Sequence, residues 1–412
     1  MAKIKPFSGL YYYNKYSKAN NVSKFVNQAL NFDYYYACSN FGSGFGVQNE
    51  LNVANLQNFN MPNEVNGNLK NWLESGTLTV SGGSAFYVCE MSYRILDRAY
   101  RARGFFAIMD LSENNNFHVE KLDISSEEGS NLVSSFLNKV NIQTSPIFAL
   151  YDDNGCEISS ILKEMCEGQC FERAKHFNVS YKVFEVTNES LIEKLKRSFE
   201  QVNKIYLSGG AEVYDAVLKN NQKSGVFGNC VLSFFMEKSS EAVAVLPVHR
   251  IISMSLFDLD DSLEKLSPYF DVIKCGSLNF MRNKMFGLSC EGKRAFGLYC
   301  EETFWVLALS DESKIKREFL CENSTKSTLD SFIVDELILQ KVLNLNDFCV
   351  QFSSSASCAK AAVDCGDGCF AVFLNAPRLS DLTKVVESGE ILTQKAAHIF
   401  PRPVDGLVFY SG

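Results

Sequence analysis

A chain of 412 residues exceeds what one hydrophobic core usually serves, so two or three packed units are expected. With 46% hydrophobic and 21% charged residues the composition is globular, and a net charge of -8 argues against a duplex-DNA footprint, leaving room for local basic patches only. No uninterrupted apolar run is long enough to span a bilayer, and Met1-Ala-Lys-Ile-Lys-Pro-Phe7 carries no apolar signal core, so a cytoplasmic protein without membrane contact is predicted.

To about residue 66 the chain is rich in Asn and Tyr and reads as irregular structure over a neighbouring domain. Its Gly42-Ser43-Gly44-Phe45-Gly46 cluster lacks the Lys and Ser/Thr of a phosphate loop and fits a flexible turn. An amphipathic segment from Leu69 ends at Gly76, and Thr77 to Val80 with Ala85 to Glu90 predicts a hairpin around Ser81-Gly82-Gly83. Gly104 to Leu111 and Pro146 to Tyr151 read as strands, and Ile124 to Val140 as largely helical. Behind Asn188, the spacing of Leu191, Ile192, Leu195, Phe199 and Val202 predicts a helix, followed by a strand over Lys204 to Leu207, a Gly209-Gly210 turn and a second helix over Ala211 to Leu218.

Further along, the pattern predicts a strand ending at His249-Arg250, a helix near Leu263 to Tyr269, a hairpin from Ala295 to Leu309 and a helix from Asp330 to Leu345. At the end, Ser380 suits the cap of a helix carrying Leu382, Val385 and Val386, Gly389 suits its left-handed terminator, and an extended segment leads to Lys395. The 14 cysteines, scattered through strand-like contexts, read as buried reduced thiols. Cys166/Cys170 and Cys365/Cys369 lack the spacing and partner histidines of a zinc site, so no metal is predicted.

Several landmarks resemble the bacterial and archaeal family called domain of unknown function 1015: the opening Met1 to Leu10, Leu69-Lys-Asn-Trp-Leu-Glu-Ser-Gly76, Ser145-Pro-Ile-Phe148, Leu246-Pro-Val-His-Arg250, Leu329-Asp330 and Gly389-Glu-Ile-Leu-Thr-Gln-Lys395. The closing segment and the Gly-Gly unit are also similar to free-serine kinases of the ParB/sulfiredoxin superfamily. Those enzymes move a phosphoryl group from a nucleotide to the serine hydroxyl. The resemblance implies an α+β chain with an N-terminal α+β region over 1–110, a ParB/sulfiredoxin-like unit over 111–245 and an α/β C-terminal domain over 246–412. It also implies a cleft between the Gly209-Gly210 turn and the Lys395 segment and, for an active enzyme, ATP or ADP with Mg.

Residue by residue the carry-over is poor. Against the kinase signature D-G-H-H-R stand Gly209, Gly210, Ala211, Glu212 and Val213; against K-S-T or K-T-T stand Lys395, Ala396 and Ala397. The family's H-E pair, whose glutamate is the expected base, aligns with Val119-Glu120, and its D-R pair falls on Gly129-Ser130. Phosphoryl transfer needs spreading negative charge neutralised, in-line positioning and a carboxylate to take the hydroxyl proton. One preorganised donor is worth about 10² to 10³ in rate, and an arginine on the transferring group about 10³ to 10⁵. Loss of both imidazoles, the guanidinium and two hydroxyls therefore predicts a pseudoenzyme that keeps an anion, nucleotide or metabolite cleft.

The Gly209-Gly210 turn into a helix start suits an anion, although Glu212 in the first helical turn opposes one. Lys395, His398 and Arg402 form the best remaining cationic cluster, with His249 and Arg250 as further candidates; each fits a ligand contact or an ordinary structural charge. His118, one position before the family's histidine, reads as a surface residue. The alternatives are an active kinase for serine or a similar small alcohol, using Glu120 as base with Lys395, His398 and Arg402 on the phosphates, and a protein- or nucleic-acid-binding module.

Overall fold

The computed structural model describes residues 3–13, 51–95, 97–112, 118–168, 170–176, 178–220, 227–255, 257–311, 324–345 and 348–412. The Gly42–Gly46 cluster lies outside them. Two units emerge among the described residues, one drawn from 3–13, 51–244 and 401–412, the other from 245–400.

In the first unit the strands include β1 (Ile4–Lys5), β2 (Gly9–Tyr12), β3 (Leu78–Val80), β4 (Phe86–Ile95), β5 (Arg98–Asp110), β6 (His118–Lys121), β7 (Ile142–Gln143), β8 (Ile147–Tyr151), β9 (Cys170–His176), β10 (Val179–Val186), β11 (Lys204–Gly209) and β12 (Cys230–Glu237), and Phe409–Ser411 pairs with β2 and β7. A nine-stranded mixed sheet runs β6-β11-β8-β12-β5-β4-β10-β9, with β1 also on β5. The β11–β6 and β12–β8 pairs are parallel and the other pairs antiparallel. The helices are α1 (Pro62–Glu74), α2 (Glu127–Leu137), α3 (Glu157–Met165), α4 (Glu189–Phe199) and α5 (Ala211–Asn220).

Strand alternation decides the core. Val88, Phe105, Ile147, Leu207 and Phe235 face one way and pack with Leu195 and Phe199 of α4. Phe199 sits with its ring centroid 5.5 Å from Phe105 and 4.8 Å from Phe235. The placement of α4 follows from local chemistry: the Asn188 side chain accepts from the Leu191 N–H, Glu189 lies in the first turn, and Lys196 and Arg197 lie in the last.

The second unit holds a six-stranded sheet in the order Phe270–Cys275, Thr303–Leu309, Ala295–Cys300, Phe370–Phe373, His249–Ser253, Cys349–Ser353. Every pair in it is antiparallel, so this unit is α+β and the expected α/β arrangement is corrected. One face packs on Ile333, Val334 and Leu337; the other packs on Met281, Met285 and Leu288 of the helix Leu278–Cys290.

Other expectations need correction too. A boundary at 110/111 would cut one hydrogen-bonded sheet, because β5 pairs with both β4 and β12. The hairpin expected over 77–90 is instead two strands in different sheets: β3 pairs β2, while β4 pairs β5 and β10. His249 begins its strand rather than ending it, since Pro247 has no N–H to continue a ladder from the preceding strand Ala244–Leu246. Arg378, not Ser380, occupies the N-cap of Leu379–Glu387, although Gly389 takes the expected left-handed φ of 80°. The helix expected from Asp330 is α-helical only to Phe332 and continues as a π-helix over Ile333–Val342. Cys89, Cys275 and Cys300 are buried, but Cys156, Cys290, Cys349, Cys358 and Cys365 are exposed.

Candidate functional site

Two glycines end β11 for two different reasons. A Cβ on Gly209 would overlap Nη2 of Arg402, so the absent side chain is what lets the guanidinium approach the backbone. Gly210 has a φ of 77°, and a Cβ there would stand 3.0 Å from the Ile147 Cα. Immediately afterwards α5 begins, its Tyr214 N–H bonding the Gly210 carbonyl at 3.0 Å. The N–H groups of Ala211, Glu212 and Val213 precede that bond and carry the positive end of the helix dipole.

Arg402 is set between Pro401 and Pro403, which restrict its backbone, and its carbonyl accepts from Tyr181 Oη at 3.1 Å. Its guanidinium lies 5.8 Å from the centre of the Phe148 ring. Burial lowers the Arg402 pKa, while Asp123 and Asp405 oppose that shift and favour the charge. Among the described residues the guanidinium N–H donors meet no acceptor, and the two carboxylates act on it only through their charge.

Behind the arginine, Asp405 Oδ2 accepts from Gln57 Nε2 at 2.9 Å and Ser145 Oγ at 3.0 Å, and Gln57 Nε2 also donates to Ser145 Oγ at 2.8 Å. Burial raises the Asp405 pKa, with Gln57, Ser145 and Arg402 pulling it back. Asp405, Gln57 and Asp123 were not anticipated as site residues. Ser145 and Phe148, however, close the Ser145-Pro-Ile-Phe148 landmark, and Asp405 follows Arg402 by three positions, so a signal existed for each.

Glu212 turns away from its own helix start. Its carboxylate accepts from Ser126 Oγ at 3.0 Å, fills the space beside Gly129 and so lies against the first turn of α2. The repulsion expected from it is directed there. Glu120 pairs across β6 with Tyr206, on the face opposite Val119, Ile205 and Leu207, which belong to the helix-side core. That is the Phe148 and Arg402 face, but Tyr206 precedes Gly209 by three residues, so Glu120 stands about 10 Å back along the sheet. His118 is exposed.

The remaining candidates belong to the second unit. Arg250 is fully buried; its Nε and Nη2 hold the two carboxylate oxygens of Asp335 at 2.9 and 2.8 Å, and its Nη1 donates to the Val248 carbonyl at 2.6 Å. Weaker bonds of 3.4 and 3.3 Å reach the carbonyls of Lys395 and Gln394. Lys395 therefore meets Arg250 through its backbone, at a φ of 49°. His398 opens the short strand His398–Phe400 and is partly buried. Thus Gly209, Gly210 and Arg402 come together in one unit, and Arg250 and the Lys395 backbone in the other.

His249 accepts the Leu374 N–H on Nδ1 at 3.3 Å, which places its proton on Nε2. Burial, reinforced by the charges of Arg282 and Arg250, pushes its pKa down to about 3, so the ring is neutral near pH 7. Because the folded pKa lies below the ordinary histidine value of 6.5, the associated stability is complete above pH 6.5 and is lost as pH falls toward 3. Urea unfolding between pH 7 and 4.5 should show that loss, up to about 1.4 kcal/mol per pH unit from this group. His249→Asn, which keeps an acceptor but cannot titrate there, should flatten the dependence; an unchanged slope would remove His249 as its source.

No helix of the described residues is long and apolar enough to cross a membrane. A search of curated proteins returns no match. Among solved structures, a free serine kinase in complex with AMP aligns with a TM-score of 0.38 and 11% identity over 73% of this chain and 92% of its own. A conserved hypothetical protein from Pyrococcus furiosus gives 0.37 and 12% over 74% and 93%, and C-terminally truncated SbnI from Staphylococcus aureus gives 0.37 and 7% over 73% and 85%. The model of the family described as protein of unknown function (DUF1015) matches residues 49–332, and the chain belongs to that family.

Proposed function

We propose that this protein binds a small phosphate-bearing metabolite or nucleotide at the Gly209-Gly210 turn and is a poor catalyst of phosphoryl transfer. The observation that carries this reading is the Arg402 guanidinium, brought against Gly209 at the start of α5 with its donors unused by the described residues. A phosphate there would accept from a guanidinium fork and from first-turn N–H groups together, a combination that suits a tetrahedral dianion. Support for weak catalysis comes from Ala211, Glu212 and Val213, which supply no imidazole beside the turn, and from the setback of Glu120.

A thermal-shift screen with AMP, ADP, phosphoserine and serine tests the proposal. A phosphate-bearing ligand at a hundredfold excess over its Kd adds about 2.7 kcal/mol, enough to raise the melting temperature by roughly 5 °C. A flat response to all the phosphate compounds would refute binding. Phosphoserine formed from ATP or ADP and serine at a useful rate would instead favour an active kinase with Glu120 as base, and Glu120→Gln should then abolish turnover without unfolding the chain.

A further inference from the structure

Strands β5, β4, β10 and β9 lie side by side at one edge of the large sheet, and their register sets a grid of side chains on one face. Opposite Glu90 stand Arg103 on β5 and Lys182 on β10. In the next row, Ser92 stands between Arg101 and Ser180, and Ser180 in turn faces Lys175 on β9. Arg94, two residues beyond Ser92, shares this face by alternation. Phe86 and Val88 share it too, but they are buried in the helix-covered core, whereas Arg94, Arg101 and Lys175 are exposed.

Glu90 organises the cluster. Its side chain is only 6% exposed and takes two N–H bonds from Arg103 at 3.1 and 3.0 Å, with Arg101 at 3.6 Å and Lys182 at 3.9 Å. One carboxylate thus anchors three cations, while Lys175 and Arg94 stand beyond it. Among the described side chains of the grid, five cations against one carboxylate leave an excess of four positive charges on a chain whose net charge is -8. The grid spans about 14 Å across the strands and about 13 Å along them, from Glu90 to Arg94.

The outward chemistry selects the partner. Guanidinium, ammonium and the hydroxyls of Ser92 and Ser180 are donors, and the described residues of the grid offer no exposed apolar anchor of the kind a protein interface or membrane insertion uses. A chain of phosphates presents repeated anionic acceptors and matches that surface. Aromatic groups that would stack on bases are directed elsewhere: Tyr93 and Tyr100 stack on each other at 5.2 Å on the opposite face, where Tyr93 Oη bonds the Ala242 carbonyl. We propose that this face of β5, β4, β10 and β9 binds the phosphodiester backbone of a nucleic acid without reading its bases.

Fluorescence anisotropy with a labelled oligonucleotide duplex and its separate strands tests this. Engagement of four or five cations gives a slope of log K against log salt of about -3.6 to -4.5 on duplex and about -2.8 to -3.5 on a single strand. The variant R94Q/R101Q/K175Q/K182Q leaves the Glu90–Arg103 pair intact and should lose binding at least tenfold, with a slope near zero. A control with the same charge change in the second unit, K265Q/K293Q/K341Q/K384Q, should bind as the parent does. Absence of binding at low salt, equal losses in the two variants, or strong dependence on base sequence would each overturn the proposal.

Discussion

Arg402→Met should weaken the binding of AMP or phosphoserine by about 10- to 100-fold, the range expected when a charge-assisted hydrogen bond of about 1.5–3 kcal/mol is lost. The same substitution should barely change the urea midpoint, because the guanidinium makes no hydrogen bond within the described residues that folding would forfeit. Arg402→Lys keeps the charge without the planar fork and should fall between the two. Gly209→Ala offers an independent route to the same end, since its Cβ would claim the space of Nη2 and push the guanidinium from the turn while preserving its charge. Isothermal titration of the three variants decides the matter: an affinity unchanged in Arg402→Met would remove the arginine from any binding role.

The turn itself was readable from the amino-acid order because its causes are local. Asn188 caps α4, periodic apolar residues give the helix one buried face, and two glycines interrupt the chain between β11 and α5. Arg402 could be nominated but not placed. Its sequence neighbours Lys395 and His398 belong to the second unit and Arg402 to the first. The hairpin expected over 77–90 fails for a similar reason, since the true partner of Leu78 to Val80 is the distant segment Leu10 to Tyr12.

The basic face was hidden by its own chemistry. Arg98 to Arg103, Cys170 to His176 and Val179 to Val186 alternate charged or polar residues with small and apolar ones, which obscures a strand when both faces are expected to show a simple apolar contrast. Averaging over 412 residues then cancels the local positive charge against acids placed elsewhere. The π-helix over Ile333–Val342 left no recognisable mark either, because its apolar residues also satisfy an ordinary helical pattern.

In the second unit, Asp335→Ala should destabilise the fold by about 3–5 kcal/mol, the usual consequence of stranding a buried charge. Arg250 is 0% exposed, and Asp335 accepts from two of its nitrogens; carbonyl contacts alone cannot neutralise the cation left behind. Arg250→Met should cost less, about 1–3 kcal/mol, because Asp335 retains access to water at 22% exposure. Replacing both, as in Arg250→Met with Asp335→Leu, should recover much of the loss, since an apolar pair of similar volume avoids desolvating two ions. Urea unfolding of the parent, Arg250→Met, Asp335→Leu and their double variant gives the coupling directly, and additive losses would mean the pair does not act as a unit. Because Arg250 also reaches the carbonyls of Gln394 and Lys395, both single variants should speed amide exchange around residues 392–396. Unchanged exchange there would show that the segment is held by other contacts.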